Sequence, residues 1–204
     1  MKIIVLANDD QWEELTANEA QINWQRVTDT IALQNDVADV IFYLADSKNI
    51  ADLAVIETPI LINAVDSTLK ELNAPANMYR INAWPGFLER AVWEVAGIEN
   101  EKIKNVFGAF GKKITFVKDE PGFVAAPVIA MIINEAYFAL AANVSSKEEI
   151  DIAMKLGTNY PYGPFEWAEK IGLKNIYTLL QKLSLTNKRY QPCALLAAEA
   201  EDQS

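Results

Sequence analysis

The stretch Tyr160-Pro161-Tyr162-Gly163-Pro164-Phe165-Glu166-Trp167 constrains the chain more than any other. Two prolines and a glycine within four residues force a turn, and Pro164 sits where a new helix can begin, since its missing N–H costs nothing at a first helical position. Upstream, Pro121-Gly122-Phe123 opens a long apolar run from Phe123 to Val144. Ser145-Ser146, followed by Glu148 and Glu149, gives overlapping capping boxes for the next helix. Beyond Gly172, Asn175 to Leu183 carries apolar residues at helical spacing, and Leu195 to Ala200 reads as a short last helix. This half of the chain is predicted to be a helical domain around one buried central helix.

The run from Phe123 to Val144 is about long enough to span a bilayer, so that reading has to be weighed. Asn134 and Glu135 fall in its middle, no basic cluster flanks it, and a carboxylate at bilayer depth is expensive. A helix buried in a soluble bundle, or by a second subunit, fits the same run. Hydrophobic residues make up 51% of the 204, enough for one large core or two small ones. The net charge of −10 argues against nucleic acid or an anionic membrane as partner. Most of that charge is at the start, where residues 1–62 hold three basic side chains against eleven acidic ones. Cys193, the one cysteine, has no partner for an internal disulfide, which suits a cytoplasmic protein. Asn8-Asp9-Asp10 ends the apolar start Met1 to Leu6 too early for a signal peptide, so no targeting segment is expected.

Lys2 to Ala7 reads as a buried parallel strand and Gln11 to Ala20 as a helix after it, with Asp9 or Asp10 as cap. A dinucleotide-binding domain begins this way, and its strand–helix turn carries G-x-G-x-x-G because only glycine lets the backbone approach a pyrophosphate. Here the turn is Leu6-Ala7-Asn8-Asp9-Asp10-Gln11, and the first glycine of the chain is Gly86. The two aspartates are expected to fill the anion site at the helix N-terminus themselves, so no cofactor is predicted and NAD is expected not to bind. Apolar runs follow at Val40 to Leu44, Leu53 to Ile56 and Ile60 to Ala64, read as strands too close together for a full set of crossover helices. A helix over Glu99 to Phe110, ended by Gly111, and a strand over Lys113 to Val117 come next. The expectation is a reduced Rossmann-like parallel sheet domain over 1–118, followed by a helical domain over 119–204.

Three stretches carry a resemblance to a known family. They are Lys118-Asp119-Glu120-Pro121-Gly122-Phe123, then Glu149-Ile150-Asp151-Ile152-Ala153-Met154-Lys155-Leu156-Gly157, then Tyr160 to Glu166, continued by Arg189-Tyr190-Gln191-Pro192. In order and spacing they resemble the C-terminal domain of the NAD-dependent 3-hydroxyacyl-CoA dehydrogenases, over about Tyr79 to Ala198. The resemblance implies a homodimer through the helical domain, and a substrate that is an acyl-CoA. It also implies that Ser67, in Asp66-Ser67-Thr68-Leu69, contacts the substrate's 3-oxygen. Read from the residues alone, Asp66 or Ser67 is a helix N-cap, and both roles can hold together. Arg80-Ile81-Asn82-Ala83-Trp84-Pro85 with Val92-Trp93-Glu94-Val95 is similar to the family's His-Phe-Phe-Asn-Pro and Val-Glu-Val block. Counting back from Glu94 places the catalytic histidine at Asn82 and the neighbouring asparagine at Pro85. Ala126 stands where the family has an active-site asparagine. Of these five polar positions, Ser67 and Glu94 keep the family's group.

The chemistry gives the loss its weight. Oxidising a 3-hydroxyacyl thioester moves a hydride from C3 to nicotinamide while a base takes the hydroxyl proton, a task suited to an imidazole titrating near neutrality. An asparagine amide cannot accept that proton, and the chain contains no histidine at all. Glu94 would act as base only if burial raised its pKa toward neutrality. Three functional readings follow: an active dehydrogenase, a degenerate homologue that binds an acyl-CoA-like ligand without oxidising it, and a dimeric structural or regulatory protein with no small ligand.

Overall fold

The chain starts with Lys2–Leu6 (β1), whose Ile3, Ile4 and Val5 are all fully buried. Alternate residues of a strand face opposite sides of a sheet, so burial of three in a row requires both faces to be covered. The computed structural model describes residues 1–17, 22–35, 37–45, 50–109 and 111–202. It divides into two compact units, Met1–Phe123 and Val124–Ser204.

The first unit is a seven-stranded sheet. After β1 come the helix Asp9–Thr16 (α1), the strand Asn23–Val27 (β2), the helix Thr30–Asn35 (α2), and the strands Val40–Tyr43 (β3), Ile60–Asn63 (β4), Met78–Ile81 (β5) and Val92–Ala96 (β6). The helix Glu101–Ala109 (α3) and the strand Lys113–Phe116 (β7) complete it. The spatial order is β2-β1-β3-β4-β5-β6-β7. Every pairing is parallel except β5 with β6, which is antiparallel. The reduced Rossmann-like parallel sheet expected from the sequence is the one found, with this one antiparallel pair explained by chain length: ten residues separate β5 from β6, too few for a crossover. The reduction of the fold is plain at two other links. Between β3 and β4 stands a 3₁₀ turn over Ala51–Leu53 where Leu53 to Ile56 reads as a strand, and between β4 and β5 only one turn of chain. The expected ends of α1 at Ala20 and of α3 at Phe110 lie outside the described residues, as does the polar stretch 46–49.

Strand alternation sorts the core into two clusters. Ile3, Val5, Phe42, Leu61, Tyr79, Ile81, Trp93 and Val95 pack with Leu15 of α1 and with Ile103 and Phe107 of α3. Ile4, Ile41, Tyr43, Ile60, Ile62 and Met78 pack with Leu33 of α2 and with Leu53. Trp93 meets Phe42 and Phe107 edge-on, with ring centroids 6.1 and 5.7 Å apart, a preferred aromatic geometry.

A sequence boundary at Asp119-Glu120 falls short of the division at Phe123 because Arg80 holds the intervening residues. Arg80, on β5, is fully buried. Its Nε donates to the Ala64 carbonyl at 2.8 Å, Nη2 to the carbonyls of Val65 and Glu120, and Nη1 to Asp119 and the Glu120 carbonyl. Its guanidinium lies over the Phe123 ring, 4.4 Å from the centroid.

The second unit is helical: Ala125–Ala141 (α4), Lys147–Thr158 (α5), Pro164–Ile171 (α6), Leu173–Ser184 (α7) and Ala194–Asp202 (α8). The central α4 packs against α6, α7 and α8. Asn134, almost fully buried, donates to the Gln191 carbonyl and accepts from the Cys193 N–H, fastening α4 to the segment before α8. Ser146 caps α5 in a capping box with Glu149, and Pro164 is the first residue of α6. Gly163 precedes α6 and has no side chain to cap it, so Asp151 of α5 accepts from the N–H groups of Phe165 and Glu166 at 2.8 and 3.1 Å. A Cβ on Gly163 would come within 2.3 Å of the Asp151 carboxylate, so the glycine and the borrowed cap require each other. No described helix is long and apolar enough to cross a membrane.

Candidate functional site

In an open sheet of this kind, ligands bind at the carboxyl ends of the strands where the strand order reverses. That point lies between β1 and β3, since β2 pairs on one side of β1 and β3 on the other. The turn after β1 is closed by a capping box: Gln11 N–H donates to Asn8 Oδ1 at 2.8 Å, and Asn8 N–H donates to Gln11 Oε1 at 3.2 Å. The sequence placed the cap at Asp9 or Asp10; it is Asn8, whose side chain accepts from the Gln11 N–H while Gln11 returns the bond. Nor do the aspartates fill an anion site. Asp9 is strongly exposed and paired with Arg26 of β2 at 2.7 Å, and Asp10 is exposed.

Gln11 takes the place instead. It is buried, and its Nε2 donates to the Leu44 carbonyl at the end of β3 (3.1 Å) and to the Ala83 carbonyl after β5 (3.3 Å). The loop after β5 is fastened further by Asn63, which accepts from the Ala83 N–H at 3.1 Å, and by Glu14 of α1, which accepts from the Gly86 N–H at 2.6 Å. Asn82 lies within this loop, 8% exposed; its Oδ1 accepts from the Trp84 N–H at 3.1 Å, while its Nδ2 has no hydrogen-bond partner among the described residues. The strand edge is thus bound together by protein groups.

Comparison with known proteins places this architecture. Residues 122–203 match the family profile of the 3-hydroxyacyl-CoA dehydrogenase, C-terminal domain. That part of the chain, residues 122–203, is similar to the C-terminal domain of the 3-hydroxyacyl-CoA dehydrogenases. Over 92 residues it is 45% identical to the 3-hydroxyadipyl-CoA dehydrogenase of Escherichia coli (strain K12), covering 44% of this chain and 19% of that protein. Over 103 residues it is 37% identical to the 3-hydroxybutyryl-CoA dehydrogenase of Bradyrhizobium diazoefficiens, covering 50% of this chain and 35% of that one. It therefore spans well under half the length of these relatives. Among solved structures, the 3-hydroxybutyryl-CoA dehydrogenase of E. coli K12 superposes with a TM-score of 0.58 at 34% identity, over 69% of this chain and 31% of the other. FadB2 of M. tuberculosis superposes with a TM-score of 0.76 over 99% of this chain and 93% of the other; at 15% identity that likeness shows the fold alone.

Set against the 3-hydroxyacyl-CoA dehydrogenase pattern, the expected site residues fall as follows. Ser67 is half-buried after β4 and donates to Asp66 Oδ1 at 3.1 Å. It is not the cap of a helix, and neither is Asp66. The single turn that follows is capped by Thr68, whose N–H donates to Glu71 Oε2 while its Oγ1 accepts from the Glu71 N–H. Thr68 wins because Glu71 stands three residues after it. Glu94 is half-buried on β6, and its charge acts on Arg90, whose guanidinium burial pulls below its ordinary pKa and Glu94 partly restores. The hydrogen bonds shown for Ser67 and Asn82 go to their neighbours Asp66 and Trp84. Pro85 lies in the fastened loop, and Ala126 is fully buried in α4.

NAD, the family's cofactor, does not fit the groups present. A pyrophosphate requires free N–H groups and glycine at the β1–α1 turn. This turn has no glycine, its Gln11 N–H is engaged by Asn8, and the Gln11 amide lies across the crevice. Arg80 is the residue that reading the sequence missed. A lone arginine in a short strand looks like an exposed edge residue, and its one local hint is Asp119-Glu120 ahead of the helical part.

Proposed function

We propose that the chain is a degenerate 3-hydroxyacyl-CoA dehydrogenase relative that holds an acyl thioester without oxidising it. The observation that carries this reading is the Gln11 side chain, bonded to the Leu44 and Ala83 carbonyls at the switch point where a dinucleotide would lie. Asn82 supports it independently. The amide at the base position can donate and accept hydrogen bonds, here accepting from the Trp84 N–H, but is too weakly basic to take a proton. The helical part, which carries the family match, supports retention of the acyl-CoA side of the family's business. The buried Cys193 suits a reducing cytoplasm.

Calorimetry with NADH and a thermal-shift series with CoA and acyl-CoAs test the reading. No NADH binding at millimolar concentration is expected, together with a rise in melting temperature for at least one acyl-CoA, since a ligand that binds the native state stabilises it. A sub-millimolar NADH dissociation constant would restore the active dehydrogenase.

A dimer through the helical unit belongs to the same reading. Val128 and Phe138 of α4 are 53% and 46% exposed, and Ile152 and Leu156 of α5 are 54% and 83% exposed. These spacings lay apolar side chains along the outside of two helices, a surface that a second copy of the chain would cover. If acyl-CoAs produce no shift while a dimer is found, the non-catalytic dimeric protein is the better reading.

A further inference from the structure

The helical unit contains a cavity of about 430 Å³ with lining residues from α4, α5, α6, α7 and α8. We propose that it is a binding site for a primary alkylammonium ion, and that the chain fills the site with its own Lys147. Nζ of Lys147 lies over the rings of Tyr137 and Phe165, 5.3 and 5.4 Å from their centroids, and donates to both oxygens of Glu199 at 2.8 and 3.1 Å. Aromatic faces and a carboxylate converging on one nitrogen are the groups that recognise an organic cation.

The receiving groups are set without the lysine. Tyr137 and Phe165 are 2% and 8% exposed, and their rings meet edge-on with centroids 5.1 Å apart. The Tyr137 hydroxyl donates to Glu199 Oε2 at 2.7 Å and so holds the carboxylate of α8 against α4. Phe165 is fixed through its N–H, which donates to Asp151 at 2.8 Å. The sign of the wall agrees with a cation. Glu148, Asp151, Glu166 and Glu169 also line the cavity. Asp151 is committed to the start of α6 and Glu166 to Lys155, while Glu148 and Glu169 form no ion pair among the described residues. The field in the cavity therefore favours a cation and opposes an anion.

Lys147 reaches this site from an unfavourable place. It is the first residue of α5, where the helix dipole favours an anion, and Glu148 and Glu149 beside it follow that preference. Its side chain is 39% exposed, so it does not serve to fill the core. What the position supplies is a tethered ammonium at high effective concentration, which shuts free amines out of the native chain.

The test removes the built-in ligand and returns it free. Lys147→Ala deletes the outline of propylammonium, so propylammonium chloride is the probe, with sodium chloride, propanol and sodium propionate as controls at the same concentration. The substitution is expected to lower the melting temperature by about 2–6 °C. Propylammonium at about 100 mM is expected to restore roughly a third of that loss or more, as a ligand with a dissociation constant on the order of tens of millimolar does. The wild type is expected to respond to it no more than to sodium chloride, and Glu199→Gln added to Lys147→Ala is expected to abolish the restoration. Restoration matched by any control, persisting in the double variant, or equalled by a shift of the wild type overturns the proposal. The wild type gives a second measurement that needs no substitution to fold: the ring currents of Tyr137 and Phe165 should move the Lys147 Hε protons upfield of those of the other lysines in the NMR spectrum. Hε protons at the ordinary lysine position overturn the proposal as well. None of this depends on whether the chain holds an acyl thioester.

Discussion

Nη1 of Arg80 lies 2.6 Å from Oδ1 of Asp119, and the two differ sharply in exposure: the arginine side chain is fully buried and the aspartate 30% exposed. Removing either partner leaves a different residue behind. Asp119→Ala strands a buried guanidinium without its counter-charge and should cost about 3 kcal/mol. Arg80→Met leaves Asp119 two backbone N–H partners and some water, so the loss is carried mainly by orphaned carbonyls, at about 1–2 kcal/mol. Urea unfolding followed by tryptophan fluorescence measures both, and the reverse ranking would show that the pair is not the anchor of the segment.

Turnover assays address the missing base and the closed cofactor crevice separately. The wild type is expected to show no NADH-linked reduction of acetoacetyl-CoA, since in this direction the missing group would have to protonate the developing alkoxide, and loss of general acid–base catalysis alone costs about a hundred- to ten-thousandfold. Asn82→His is expected to remain inactive at saturating NADH, because Gln11 still occupies the crevice. Activity appearing only in the variant would mean that NADH is held in a manner unlike the usual phosphate turn.

The helical unit should lose stability at both ends of the pH scale. Burial pushes the Glu199 carboxyl up, but hydrogen bonds from Lys147 and Tyr137 outweigh it and hold the group below its ordinary value of 4.5. Glu149, through Ser145 and the Ser146 N–H, and Glu166, through Lys155 and the Gly163 N–H, are held below it too. A depressed carboxyl contributes stability that is fully present above its unfolded pKa and is lost as pH falls through the folded one. Acid melting should therefore set in below 4.5, and Lys147→Met should move its onset to higher pH. Tyr137 shifts the other way: burial and then Glu199 push its phenol up from 10.0, so its contribution is present below pH 10 and lost above it. Thermal melts across pH, read by circular dichroism, give both edges; an acid edge unmoved in Lys147→Met would refute the assignment to Glu199.

Light scattering at tens of micromolar is expected to give a dimer mass, and Leu156→Glu a monomer of unchanged helicity. Leu156 is 83% exposed in the single chain, so the substitution should be neutral to folding and costly only where a second surface covers it. A wild-type monomer would remove the dimer reading.

The helical unit was legible because its punctuation is local. Ser146 with Glu149, Pro164 after Gly163, and the apolar run of α4 each specify their element within a few residues. The strands β1, β3, β4 and β7 were legible as apolar or β-branched runs. β2, Asn23–Val27, was not, because NWQRV neither alternates nor runs apolar. Neither was the antiparallel turn from β5 to β6, which depends on how little chain lies between them. In the candidate site, the absence of glycine and histidine could be counted, but what fills the space could not. Gln11 reaches carbonyls 33 and 72 residues away, and Arg80 a carboxylate 39 residues on. Such partners are set by the sheet order, not by neighbours in sequence.

The Gln11 stitch also bears on what substitution can do to this protein. Its side-chain amide ties α1 to the end of β3 and to the loop after β5, while its N–H and Oε1 close the cap with Asn8. Writing glycine into this turn to admit a phosphate would delete those ties and raise the flexibility of the unfolded chain at once. The first steps toward a nucleotide site would weaken the fold before any ligand could repay the loss. Random substitution is thereby steered away from reversal, and an engineer who wants the cofactor back has to supply replacement bonds between α1 and the strand ends in the same design.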